Sequence, residues 1–169
     1  AAVCALLQRQ GYALQLLSGD RPVVAGQIAA QLGIADWHAA QTPPEKVAVI
    51  RALQAQGRKV LMVGDGLNDA PALAAADCSI SPSSALDIAQ NAADLVFQGE
   101  KLAPVAQALR VARRAQQLVT QNFLLAFLYN LVAVPLAMAG QVTPLVAAIA
   151  MAASSLIVVL NAQRLHWGI

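Results

Sequence analysis

Apolar and polar positions along the chain follow two rhythms, one before about residue 120 and another after it. In the first part, short apolar runs bounded by glycine, proline and acids fall near Ala13 to Leu17, Lys59 to Val63, Cys78 to Ile80 and Leu95 to Phe97. A weaker run lies near Trp37 to Ala40. Runs of that length and type predict strands. Between them, helical spacing predicts helices near Pro22 to Leu32, Pro44 to Gln56, Asn68 to Ala76, Ser84 to Asn91 and Leu102 to Gln121. Val3, Leu6 and Leu7 already show helical spacing ahead of Gly11. Strand and helix alternate, which is the pattern of a Rossmann-like α/β unit with a parallel sheet covered on both faces. There are no internal repeats and no low-complexity linker.

In the second part the short bounded runs disappear and so do the charges. No charged residue lies between Arg114 and Arg164, and this stretch holds two apolar segments, about Phe123 to Ala139 and about Thr143 to Leu160. Each approaches the ~20 residues that cross a ~30 Å hydrocarbon core. Buried helices of a soluble core are the alternative, but such cores seldom supply two consecutive uncharged runs of this length. Gly140-Gln141-Val142 leaves room only for a tight hairpin, with Thr143 as cap and Pro144 in the first turn of the second helix. Arg110, Arg113 and Arg114 precede the hairpin, Arg164 follows it, and the loop is neutral. By the positive-inside rule both ends are cytosolic and the loop faces outward. The expected organisation is an α/β part at 1–104, a connecting helix at 105–121 that runs on into the bilayer, and a transmembrane hairpin with a short cytosolic tail at 122–169.

Composition agrees with this division. Hydrophobic residues make up 58% of the chain and charged ones 12%, against roughly 25% charged in an ordinary soluble domain. The net charge of +2 and the few aromatics give no support to nucleic-acid binding, and the arginines near Arg113 suit lipid headgroups better. Cys4 and Cys78 stand alone in their segments and read as small core hydrophobes. His38 and His166 lack partners at metal-ligand spacing and read as structural or surface residues. Ala1 is not a methionine and the first helix begins at once, so the chain is expected to be the carboxyl-terminal piece of something longer.

The chemistry concentrates in Gly64-Asp65-Gly66-Leu67-Asn68-Asp69-Ala70-Pro71-Ala72-Leu73, which follows the strand-like Lys59-Val60-Leu61-Met62-Val63. Carboxylates and an amide then stand at the carboxyl end of a parallel strand, where ligands bind in open α/β sheets. The glycines flanking Asp65 allow close approach of a phosphate or a hydrated Mg²⁺. Alone, such a cluster is more often a turn. Here Leu14-Gln15-Leu16-Leu17-Ser18-Gly19-Asp20 ends a second strand in a hydroxyl, a glycine and an acid, and Thr42-Pro43-Pro44-Glu45-Lys46 opens a helix with a lysine in its first turns. A hydroxyl and an amide for phosphate oxygens, a lysine for charge and an acid for metal are what phosphoryl transfer requires.

Polar residues also interrupt the apolar segments. Asn122 and Tyr129 share a helix face, with Asn130 beside them, and Pro135 removes the hydrogen bond to the carbonyl of Leu131. Met151, Ser154 and Ser155 share a face of the second segment. Small polar residues at that spacing often serve only helix packing, yet polar groups in hydrocarbon are costly enough to be functional candidates.

In the order Ser18-Gly19-Asp20, Pro44-Glu45-Lys46, Gly64-Asp65-Gly66, and nearly letter for letter from Gly64 to Leu73, the chain resembles the phosphorylation domain of P-type ATPases, of the haloacid-dehalogenase-like superfamily. Ser18 stands where that family usually has threonine, and the family's Asp-Lys-Thr-Gly-Thr segment with the phosphorylated aspartate is absent. The resemblance implies that Asp65 holds Mg²⁺, that Lys46 stabilises the phosphoryl charge, and that Ser18 and Asn68 bond its oxygens. It also implies that Asp69 orients Lys46, while Gly19, Asp20, Gly64 and Gly66 form the cradle for phosphate and ATP. Without the nucleophile the chain is expected to be inactive alone.

Tyr129-Asn130, Met151-x-x-Ser154-Ser155 and Asn161 resemble the signature of copper-transporting members, whereas the zinc, cadmium and lead branch would carry a membrane lysine and aspartate, both absent here. That implies a Cu⁺ site partly lined by Tyr129, Asn130, Met151 and Ser154. Ala133-Val134-Pro135-Leu136 and Val142-Thr143-Pro144-Leu145 are closer to the copper ATPases of cytochrome oxidase assembly than to detoxifying exporters. Implied partners are membrane lipid, the actuator and nucleotide domains, the other membrane helices and a copper chaperone, with a bacterial inner-membrane location. A soluble dehalogenase-like phosphatase and a non-catalytic truncated membrane module remain as alternatives.

Overall fold

A computed structural model describes residues 1–85, 87–99 and 101–165, in two compact units, Ala1–Ala106 and Gln107–Ile169. The first unit opens with α1 (Ala2–Arg9), β1 (Gln15–Leu17), α2 (Pro22–Leu32), β2 (Asp36–His38) and α3 (Pro43–Ala55). It continues with β3 (Leu61–Val63), a 3₁₀ turn (Leu67–Asp69), α4 (Ala70–Ala75), β4 (Cys78–Pro82), α5 (Asp87–Ala92) and β5 (Leu95–Phe97). All five expected strands are present and all ladders are parallel.

They form two ladders rather than one. β1 pairs with β2, with Leu16 opposite Trp37, while β3, β4 and β5 form a three-stranded sheet with Met62 opposite Ser79 and Ser81 opposite Val96. Periodicity along a segment reports which strands exist and which faces they bury, but not which strands are neighbours, so this division is invisible locally. The expected helix from Ser84 begins at Asp87, because Ala85 N closes a turn on the carbonyl of Pro82 (3.0 Å). The expected helix from Asn68 is likewise divided into the 3₁₀ turn and α4, since Pro71 sits in the first turn of α4 and has no N–H to extend the helix backwards.

Ile50 of α3 and Ala72 and Ala75 of α4 form the core cluster, with Val47, Val60, Met62 and Ala76 packed around it. The alanines let α3 and α4 approach closely. Cys4 is buried and Cys78 half-buried, in keeping with small core residues. Asp77 fastens the far end of this core, accepting from Lys59 Nζ (2.8 Å), Val60 N (3.0 Å) and Gln54 Nε2 (3.1 Å). Asp94 ties β5 to β4 by accepting from the Ser79 amide (2.8 Å) and hydroxyl (2.9 Å).

The second unit is a helical hairpin. The expected uninterrupted helix is α6, Ala103–Met138, whose 36 residues begin within the first unit. At 1.5 Å per residue it is ~54 Å long, more than a ~30 Å hydrocarbon core requires. Pro135 lies inside α6, and the helix continues past it to Met138. Gly140, at φ 69°, takes the left-handed conformation that ends it. Thr143 then accepts from Val146 N (3.4 Å) and Pro144 starts α7, Pro144–Gln163, as the cap residues lead one to expect. Both helices are long and apolar enough to cross a membrane. His166 lies outside the described residues.

The Asp77 cluster makes stability depend on acid. The hydrogen bond from Lys59, then those from Val60 and Gln54, hold the Asp77 pKa down to about 2. A folded-state pKa below the unfolded value means stabilisation that is present above about pH 4 and lost as pH falls toward 2. Unfolding midpoints of the detergent-solubilised protein should therefore drop between these two pH values. In Asp77→Asn the midpoint should be lower at neutral pH and the drop in that window smaller.

Candidate active site

The carboxyl ends of β1, β2 and β3 carry the predicted phosphate residues. After β1, Ser18 Oγ donates to Asp20 Oδ2 (2.9 Å) and accepts from the Asp20 amide (3.1 Å), forming a closed hydroxyl-acid turn. The loop after β2 is bonded to it, because Ala40 N donates to the Asp20 carbonyl (2.8 Å) and Gln41 N to that of Ser18 (2.9 Å). Ala40, at φ 51°, is the non-glycine residue with left-handed backbone among the described residues. Such strain persists where surrounding bonds over-determine it, and here those bonds set where α3 begins. Nothing in the residue types around Ala40 announces that conformation.

At the start of α3, Glu45 Oε2 accepts from the Thr42 amide and hydroxyl (both 2.7 Å), and the hydroxyl bond above all lowers the Glu45 pKa. The resulting cap fixes the first turn. One residue on, Lys46 turns inward and is 5% exposed. Its Nζ lies 2.6 Å from Asp69 Oδ1, while Asp69 Oδ2 accepts from Gly66 N (3.3 Å). Asp69 thus grips the lysine with one oxygen and closes its own loop with the other.

The chain can pass this close only because Gly64 has no side chain: a Cβ there would lie 2.8 Å from Asp69 Cβ. Asp65 and Asn68 are exposed on the same loop, and neither side chain makes a hydrogen bond among the described residues. Lys46, Asp69, Gly64 and Gly66 are therefore joined directly, and Ser18, Gly19 and Asp20 form a separate turn. No group of three or more metal-ligating side chains occurs among the described residues. An uncommitted carboxylate such as Asp65 suits Mg²⁺, which takes one or two carboxylates together with substrate phosphates and waters.

In the hairpin, half-buried positions on α6 (Asn122, Tyr129, Ala133) and α7 (Ala147, Ala150, Ser154, Val158, Asn161) mark the facing seam. Asn161 Nδ2 donates to Asn122 Oδ1 (2.9 Å), and Asn122 Nδ2 reaches the Val158 carbonyl (3.5 Å). Tyr129 and Ser154 lie on this seam. Asn130 and Met151 are exposed off it, Met151 by 66%. Asn130 Nδ2 donates to the Ala126 carbonyl (2.9 Å) and Ser154 Oγ to that of Met151 (3.0 Å), leaving oxygen lone pairs free. No hydrogen bond among the described residues joins Tyr129 or Asn130 to Met151 or Ser154.

Residues 1–77 match the family model described as haloacid dehalogenase-like hydrolase. The chain is 52% identical over 159 residues to nitrogen fixation protein FixI of Rhizobium meliloti, covering 94% of this chain and 21% of that protein. It superposes on a crystal structure of a zinc-transporting PIB-type ATPase in the E2·Pi state with TM-score 0.92 and 31% identity, over 98% of this chain and 27% of that one. The chain belongs to the P-type ATPases. It is also 42% identical over 166 residues to "Probable copper-exporting P-type ATPase V" of Mycobacterium tuberculosis, covering 98% of this chain and 22% of that protein. It spans about a fifth of the length of these curated relatives. The haloacid-dehalogenase-like fold followed by two candidate membrane helices is thus that of a P-type ATPase segment.

The contact at Gly64 yields a test. In Gly64→Ala the new methyl should displace Asp69 and weaken its hold on Lys46, costing about 1–3 kcal/mol by the usual scale of overpacking. Asp69→Ala should cost more, about 3–5 kcal/mol, because it leaves a buried ammonium without its partner. Denaturant titration of both variants checks the order.

Proposed function

We propose that this chain is part of a copper-translocating P-type ATPase that forms an aspartyl-phosphate intermediate from MgATP and moves Cu⁺ across a bacterial inner membrane. The observation that carries the phosphoryl-transfer reading is the buried Lys46–Asp69 pair at 2.6 Å on the loop that presents Asp65. A lysine fixed by a carboxylate offers a placed positive charge to a transferring phosphoryl group, and charge placed in advance is the main catalytic device for that reaction. In this reading Asp65 holds Mg²⁺, and Ser18 and Asn68 donate to phosphoryl oxygens. Gly19, Asp20, Gly64 and Gly66 shape the cradle, and Asp69 keeps Lys46 aimed. The nucleophilic aspartate belongs to the parent's Asp-Lys-Thr-Gly-Thr segment, which this chain lacks.

The ion reading rests on charge and softness. A hairpin with no charged side chain between Arg114 and Arg164 offers a divalent ion no counter-charge. It suits a soft monovalent ion bound through thioether and neutral oxygen donors, with Met151 supplying sulfur. Tyr129 is seven residues from Asn122, and Ser154 seven from Asn161. The asparagine bond therefore sets both on the seam at one depth, ~10 Å further in. Asn130 and Met151 face away from the seam, toward the remaining membrane helices of the parent. Breakdown of the phosphoenzyme is coupled to alternating access of this site. The domain division at 104/105 and 121/122, a copper chaperone as donor and a role in oxidase assembly belong to the same proposal.

Two substitutions in the full-length parent test it. Asp65→Asn should abolish phosphoenzyme formation from MgATP while membrane insertion stays intact; normal phosphoenzyme levels would sink the Mg²⁺ assignment. Met151→Leu preserves volume and apolarity and removes the soft donor. It should depress copper-triggered phosphorylation with protein level nearly unchanged. A wild-type copper response in that variant, or a parent that answers zinc and not copper, would defeat the copper reading.

A further inference from the structure

All nine acidic residues of the chain precede Lys101. The hairpin unit therefore carries Arg110, Arg113, Arg114 and Arg164 and no acidic side chain. Two of these meet at the open end. Arg114 Nη2, on α6, donates to the Arg164 carbonyl at the end of α7 (3.2 Å), and Arg164 Nη1 donates to Asn161 Oδ1 (3.0 Å). Asn161 in turn is bonded to Asn122, so the second guanidinium is tied to the clamp between the helices. Neither Arg114 nor Arg164 forms an ion pair among the described residues.

One guanidinium is held on the carbonyl that ends α7 and the other on Asn161, so two positive charges lie at the same end of the hairpin. The partial charge of the α7 carboxyl end, about −0.5, offsets only part of their combined charge. Guanidinium groups keep donors to spare after one bond each, in the fork geometry that matches phosphate oxygens. One to three turns further along the helices, the surface turns apolar at Val119, Phe123, Leu156 and Leu160, all exposed. A ligand that satisfies both parts has a phosphate head and a hydrocarbon tail.

We propose that the open end of the hairpin, at Arg114 and Arg164, is a binding site for the phosphate of an anionic phospholipid, whose acyl chains lie along the exposed apolar side chains below. This rests on the membrane reading of the hairpin. The bound lipid neutralises the two guanidiniums and so steadies the end of the hairpin from which the asparagine clamp sets the depth of Tyr129 and Ser154. Arg114 acting only as a helix cap for α7 would need no lipid.

The test reconstitutes the full-length parent in nanodiscs of phosphatidylcholine with phosphatidylglycerol as the minor component, and counts retained lipid by native mass spectrometry. Phosphatidylglycerol should be enriched over its bulk fraction. Arg114→Gln and Arg164→Gln should each reduce that enrichment by about fivefold, and Arg114→Lys/Arg164→Lys should keep most of it. A wild-type protein that inserts but shows no preference overturns the site, with no variant needed. Equal enrichment in the glutamine variants overturns it as well, and so does displacement of the phosphatidylglycerol by inorganic phosphate. Failure of the parent to insert at all would overturn the membrane reading and the site together.

Discussion

Lys46 can be buried in this fold only because Asp69 meets it, and much of the first unit is arranged around that meeting. An unpaired ammonium in the interior costs several kcal/mol. The pair therefore requires α3 to begin where Thr42 and Glu45 cap it, and the loop after β3 to turn tightly enough for Asp69 to reach back. Gly64 permits the turn because its missing Cβ is the space that Asp69 occupies. The small residues of α4 let that helix lie on α3 and bring the two charges to one place. One interaction thus links a cap, a glycine and an alanine-rich helix that lie apart in sequence.

The same pair explains why the site is asymmetric. Asp69 is consumed by Lys46 and by Gly66 N, whereas its neighbour Asp65 is left outward-facing. One carboxylate of the loop is thus committed to a cation of the protein, and the other is uncommitted, as the proposed Mg²⁺ role of Asp65 requires. On the β1 side, the Ser18 hydroxyl is held by Asp20, and the two loops are bonded through Ala40 and Gln41. The backbone strain at Ala40 belongs to this connection.

The hairpin depends on a different constraint. Its helices present apolar side chains outward over most of their length, so packing between them does little to choose a register. The bond between Asn122 and Asn161 supplies it. It joins the helices at the end that carries Arg114 and Arg164, where Asn161 also accepts from Arg164, and so defines how the two helices slide against each other.

Residue types and spacing settled what depends on a few neighbours along the chain. The five strands, the capping of α3 and α7, the turn at Gly140, the long α6 and the charge-free hairpin are local consequences of periodicity and turn chemistry, and so they were legible. The position of the two loops proposed to hold phosphate was legible too, because Gly64-Asp65-Gly66 and Ser18-Gly19-Asp20 each follow a strand. Tertiary structure decided the rest. The split into two parallel ladders, the left-handed Ala40, the burial of Lys46, the commitment of Asp69 but not Asp65, and the placing of Tyr129 and Ser154 on the seam with Asn130 and Met151 off it all arise from contacts between distant segments. Sequence periodicity fixes the face on which a side chain lies; only the packing of another element against that face determines what it meets.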